Sequence, residues 1–302
     1  MTPAHTIRLG LCCLFASEPI RFRTTTAHVL GRQPREEQLI RLSRLATDNA
    51  AALHNALAYC ASHAIGSFRV NSQILPLRTH PALGYCVEEL PDGRAIQEAF
   101  RACGVFARSH ALRLTYHPDQ FILLASPRPE VTRASIAELD YQAEVATWIG
   151  ADVLNIHAGG AYGDKPAALA RLAETLRQLP AAIRQRLTLE NDDRIYTPRD
   201  LLPFCEAHQI PLVYDVHHHR CLPDGYTVAE VSVRAAATWD REPLFHLSSP
   251  REGWAGAHPH YHHDYINVSD FPDEWREMTL TIEVEAKAKE LAIARLQRDL
   301  QE

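Results

Sequence analysis

Short apolar runs recur along the chain and alternate with longer stretches in which apolar residues return at helical spacing. The short runs predict strands at Ile7–Cys13, Phe68–Asn71, Leu112–Tyr116, Asp152–Ile156, Leu187–Leu189, Pro211–Tyr214, Leu244–Leu247 and Leu280–Val284. The longer ones predict helices at Glu36–His63, Ala95–Ser109, Glu130–Ile149, Pro166–Leu179, Thr197–His208, Val228–Ala237 and Lys287–Leu300. In the first of these, Leu39, Leu42, Leu45, Ala46, Leu53 and Leu57 share one face. Pro127 and Pro129 precede the third, and Thr197 with Pro198 forms a cap and first-turn signal. Eight strands alternating with helices, with no linker, low-complexity tract or short repeat, predict an α/β fold, a (β/α)8 TIM barrel, as one domain over residues 1–302.

In such barrels the chemistry sits at the C-terminal ends of the strands. Here six consecutive ends carry His117, His157, Glu190, Asp215, His246 and Glu285. Taken alone, each reads as readily as a hydrogen-bonded core residue; as a series they are hard to explain by packing. Carboxylates gathered at one mouth repel and resist desolvation, and divalent cations relieve both costs. Mixed His and carboxylate ligation suits Zn²⁺, Mn²⁺ or Fe²⁺. After the sixth strand, LVYDVHHHR predicts that His217, His218 and His219 open a loop, with the spacing leaving open which of them faces a metal. His218, His262 and Asp264 bring the candidate ligands to nine, more than one ion needs, with Glu190 placed to bridge two or three ions. His258, His260 and His263 compete for the loop role. His28, His54, His63, His110 and His208 read as structural or solvated.

Composition narrows the function class. The 302 residues are 46% hydrophobic and 23% charged, with a net charge of -6. That balance disfavours non-specific coating of nucleic acid and does not exclude a nuclease whose carboxylates are neutralised by metals. No run approaches the roughly 18 apolar residues of a membrane span. The N-terminus lacks a signal-peptide layout, so a cytoplasmic protein is expected. Seven scattered cysteines without a CxxC pair predict reduced thiols and no cysteine-built zinc site. Within 17–35, Arg21, Arg23, Arg32 and Arg35 face a single acid, Glu18, which fits either a solvated loop or a phosphate-facing segment. Lys287, Lys289 and Arg295 read as a solvated helix face.

The segments FRVNSQILP, HPDQF, NIHAGGAYGDK, LTLENDD, VYDVHHHR, HHDYI and VEAKAKE, in this order along nearly the whole chain, resemble the UV damage endonuclease family (UvdE/UvsE type). The resemblance implies a metal-dependent barrel similar in layout to endonuclease IV. It implies ATP-independent nicking of duplex DNA immediately 5′ of UV photoproducts, leaving a 3′-hydroxyl, with some action at abasic sites. Three divalent ions, Mn²⁺ foremost, are implied. His117, His157 and Glu190 would hold the first; Glu190, Asp215, His246 and Glu285 the second; His218, His262 and Asp264 the third. Glu190 would be the central catalytic ligand. The implied DNA-facing residues are His80, Asn71, Gln120 and Phe121, with Arg21 and Arg23 on the arginine-rich loop. Gln120 and Phe121 match a Gln-Tyr pair that wedges into the duplex at the lesion. Some members carry a tyrosine where this chain has Leu11, and a lysine where it has Leu244. The implied partner is damaged duplex DNA alone, bound by a monomer without a membrane. A rival reading is a metal-dependent sugar isomerase or epimerase on the same barrel, which the extra His262 and Asp264 disfavour; a non-catalytic lesion binder is a third.

Overall fold

Eight parallel strands close into a barrel in the order β1 to β8 in a computed structural model that describes residues 6–119 and 121–301. They are β1 (Ile7–Cys12), β2 (Ser67–Val70), β3 (Arg113–Tyr116), β4 (Val153–His157), β5 (Leu187–Glu190), β6 (Leu212–Asp215), β7 (Leu244–Leu247) and β8 (Leu280–Val284). Closure is made by β1 against β8, with Leu11 opposite Val284. The helices are α1 (Ala27–Leu30), α2 (Arg35–Ser62), α3 (Gly93–Ser109), α4 (Pro129–Ile149), α5 (Lys165–Gln178), α6 (Ala181–Arg184), α7 (Pro198–His208), α8 (Val216–Cys221), α9 (Val228–Ala237) and α10 (Glu290–Asp299). The expected barrel is thus present. No helix among the described residues is long and apolar enough to cross a membrane.

Strand alternation sorts side chains between two environments. Phe68, Leu114, Leu154, Leu189, Tyr214, Phe245 and Ile282 join the large apolar cluster shared with the helices. Facing the axis, Val153, Val213 and Leu244 form a small separate cluster with Trp239. Leu244 therefore belongs to an apolar floor. Below it, Arg113 pairs with Asp152 at 2.9 Å and donates to Thr281. Above it, the axis turns polar, which is unusual for a space that branched aliphatic residues commonly fill. Arg69, Thr115, Asn155, Thr188 and Glu283 are all buried there.

Two local departures from the sequence expectation matter for the site. The three histidines after β6 do not open a loop; they lie in α8. Asp215 ends β6 with extended backbone, and its side chain accepts from His218 N at 2.7 Å, capping the helix at once. The last helix begins not at Lys287 but after Lys289, whose φ of +52° and ψ of −121° are non-helical, so its first residue is Glu290. Its carboxylate accepts from the backbone amides of Ala16 and Ser17 at 2.7 and 2.6 Å and from the Ser17 hydroxyl at 2.8 Å. This ties the end of β8 to the segment after β1.

Candidate metal centre

Glu190 closes β5 at the mouth of the barrel and is buried. Its Oε2 lies 2.9 Å from His117 Nε2 and 3.9 Å from His157 Nε2. Its Oε1 lies 3.1 Å from His246 Nδ1 and 3.4 Å from His218 Nδ1. One carboxylate therefore faces four imidazoles, carried by the ends of β3, β4 and β7 and by α8. Burial alone would raise its pKa, but the fields of His246, His157 and His117 pull it well below the carboxylate range. Burial likewise works to lower His246, yet Glu190 and Glu285 overcome it and hold the imidazole up at about 10. For His157 burial prevails and its pKa falls. Asn155 donates to Glu190 at 2.6 Å and accepts from Thr188, so the carboxylate is oriented from below as well.

Three sets of donors converge within 4.8 Å: His117 with His157 and Glu190; His117 with His246 and Glu285; and Glu190 with Asp215 and His218. The first set is the one expected for a first ion. In the third, His218 stands with Glu190 and Asp215 rather than with His262 and Asp264. His262 does reach the cleft, with Nδ1 3.7 Å from Glu285 Oε2. Asp264 is exposed, and the contact it makes is through its carbonyl, which accepts from Ala288 N at 2.9 Å. His260 and Tyr261 line the cleft wall beside His262 instead.

Two buried polar atoms at this mouth, Asp215 Oδ2 and His157 Nδ1, have no hydrogen-bond partner. Buried polar atoms are rarely left so. Together with the clustered carboxylates and imidazoles, the bare Asp215 oxygen fits a divalent cation.

Sequence reading missed the support beneath this ring. Arg69 is buried and forms ion pairs with Glu283 and, at 2.6 Å, with Glu285; its Nη2 lies 2.9 Å from His246 Nε2. Thr115 also donates to Glu283. Burial would raise Glu283, but Arg69 and then His246 bring it down to about 2. The signal was a period of two: Arg69 in FRV, and Thr281, Glu283 and Glu285 in TIEVE, alternate with apolar residues and so share one face. Gly10 makes room, since a Cβ there would sit 3.2 Å from Glu283 Cγ and 3.1 Å from Ser67 Cβ.

The two other histidines of α8 part company. His219 is bonded on both sides, to the Tyr214 hydroxyl at 2.8 Å and Asp224 at 3.0 Å. His217 is fully buried against Trp254 and His262, with ring centroids 5.2 Å from each, and neither ring nitrogen has a partner.

The cleft above Glu190 has a volume of about 660 Å³ and is walled on one side by Pro118, Ile122 and Leu123. Phe121, next to Ile122 in the chain, is 83% exposed. It lines a second, neighbouring hollow of about 350 Å³ with Thr25, Gln73 and Glu138. Gln120 lies outside the described residues. None of the other expected DNA-facing residues lines the cleft. His80 Nδ1 accepts from Ala82 N and Leu83 N at 3.2 Å, and Asn71 accepts from Gln73 N. Arg21 donates to the carbonyls of Glu18 and Ile20, and Arg23 is anchored through its backbone by Asn49. Lys287 and Lys289 are not on a helix face; they precede α10 and line a groove that adjoins the cleft.

Comparison with known proteins follows the same outline. The profile of the UV-endonuclease UvdE family matches residues 7–302. A UV DNA damage endonuclease of Bacillus velezensis is 33% identical over 301 residues, covering 95% of this chain and 91% of that protein. One of Bacillus pumilus is 34% identical over 283 residues, covering 90% and 85%. Among solved structures, SacUVDE superposes with a TM-score of 0.87 at 28% identity, covering 98% of both chains. Endonuclease IV from Thermus thermophilus shares the fold, with a TM-score of 0.62 at 16% identity over 97% of this chain and 99% of that one.

Proposed function

The chain belongs to the UV-endonuclease UvdE family, and on that premise we propose that it is a metal-dependent repair nuclease that nicks duplex DNA immediately 5′ of UV photoproducts. The products carry a 3′-hydroxyl, and abasic sites are secondary substrates. The observation that carries this reading is the ring of His117, His157, Glu190, Asp215, His218, His246 and Glu285 around one mouth, with the bare Asp215 Oδ2 3.4 Å from His218 Nδ1. His262 borders the same ring. These residues would hold two or three divalent ions, with Mn²⁺ foremost and Glu190 shared between them. Such ions act as Lewis acids at a phosphodiester, acidifying the attacking water and stabilising the leaving oxygen.

The chain's own residues supply positioning. Glu190 is fixed by Asn155, and His246 by the Arg69–Glu283 pair, so neither reorganises when substrate arrives. Phe121 offers an exposed aromatic face. A photoproduct already weakens stacking, so a wedge there meets less resistance at damage than at intact sequence. The protein acts alone on damaged duplex, as a monomer in the cytoplasm. A sugar isomerase would use a simpler site, and nothing in the cleft favours a sugar over a nucleic-acid backbone.

The test is incubation of the Mn²⁺-loaded protein with UV-irradiated and undamaged duplexes of one sequence, with the ends of the products mapped. A nick 5′ of the photoproduct in the irradiated duplex alone is expected. Equal cutting of both duplexes, or of neither, overturns the reading.

A further inference from the structure

Of the 31 lysines and arginines in the chain, only three are lysine: Lys165, Lys287 and Lys289. Lys165 is paired with Asp200 at 2.7 Å. The other two stand together just after β8 and form no ion pair with any described residue. They line a groove of about 400 Å³ that opens into the metal cleft, sharing Glu285, His262 and Arg69 with it.

The backbone here is held in an unfavourable state. Lys289 has φ +52° and ψ −121°, a conformation suited to glycine. Across the same groove Cys13 has φ +62°. Strain of this kind persists only where the surroundings over-determine it, and it gathers at functional sites. The surroundings do so: Lys287 N donates to His263 O at 3.1 Å, Ala288 N to Asp264 O at 2.9 Å, and Glu290 is locked to residues 16–18. The fixed segment presents Lys287 exposed and Lys289 half-buried at the groove.

We propose that Lys287 and Lys289 form a phosphate-binding site for the cleaved DNA strand, seating a backbone phosphate beside the one at the metal centre. Two ammonium groups without carboxylate partners repel metal ions and attract an anion, and the groove's continuity with the cleft selects a phosphate on the same strand. The proposal rests on the nuclease reading above.

The experiment measures binding of the Mn²⁺-loaded protein to an undamaged fluorescent duplex across a salt series. Each phosphate contact contributes about 0.9 to the slope of log affinity against log salt. Lys287→Gln and Lys289→Gly are each expected to flatten the slope by about one unit, equally for damaged and undamaged DNA. Their loss in kcat/KM on irradiated duplex should be carried by KM. Lys289→Gly also removes the positive-φ strain, so it should melt at or above the wild-type temperature while binding DNA less well. Lys289→Arg should restore the slope. If the wild type nicks irradiated DNA but the variants keep its salt slope, the lysine site is overturned and the nuclease reading stands. If the wild type does not nick irradiated DNA, the nuclease reading itself fails.

Discussion

His246 Nε2 lies 3.1 Å from Glu283 Oε2, while its Nδ1, on the other side of the ring, lies 3.1 Å from Glu190 Oε1. A carboxylate that accepts from one ring nitrogen fixes the tautomer and frees the other nitrogen for a metal. Glu283 therefore sets the direction in which His246 offers its lone pair, and Arg69 keeps Glu283 ionised. Replacing Glu283 by Gln should lower affinity for one class of bound ion by about 10–100-fold while the remaining ions bind as before. Metal analysis after graded chelation checks this; an unchanged ion count at every chelator level would sink the idea.

Glu190→Gln should leave a folded barrel that fails to incise irradiated duplex. The amide keeps the shape and the Asn155 contact in part, but it loses the charge that faces four imidazoles. Circular dichroism verifies the fold, and a nicking assay the loss. Retained incision contradicts the bridging role.

Phe121 is so exposed that truncating it should change stability by no more than about 0.5 kcal/mol. Base–aromatic stacking is worth about 1–3 kcal/mol, so Phe121→Ala should lower kcat/KM on irradiated duplex by about tenfold or more. Phe121→Tyr should retain it. Equal rates for all three proteins would remove Phe121 from lesion recognition.

Glu290 gives a pH signature away from the metals. Burial would raise its pKa, but the hydrogen bonds from the Ala16 and Ser17 amides and the Ser17 hydroxyl depress it below its ordinary value. A depressed carboxylate contributes stability that is present above the unfolded pKa, about 4.3 for Glu, and that is lost as pH falls through the folded value. Glu290→Gln should cost about 1–3 kcal/mol near neutral pH. Urea melts of the two proteins should converge in acid. A gap that stayed constant down to low pH would contradict the assignment.

The barrel was legible because its strands are short, apolar and regularly separated by amphipathic helices. β7, β8 and α9 fall where the pattern places them. The ring of candidate ligands was legible for a related reason: His117, His157, Glu190, Asp215 and Glu285 each stand where an apolar run stops. The layer beneath was not, because Arg69, Asn155 and Glu283 lie inside runs that read as uniformly buried, and only the two-residue alternation separates the axis from the helix side. The triple histidine misled because a helix with no intervening turn looks like a polar loop until its cap is seen. Asp264 and the two lysines depended on how the segments after β7 and β8 fold back, which spacing does not encode.

Asp215 and His218 are separated by one turn of α8, and the same carboxylate that faces the metal centre starts that turn. Their relative orientation is thus written in the number of residues between them and not in which residues those are. Substituting Val216 or His217 leaves that spacing intact and costs packing, since both are fully buried. Adding or deleting a single residue there swings His218 by about 100° around the helix axis, since a turn takes about 3.6 residues.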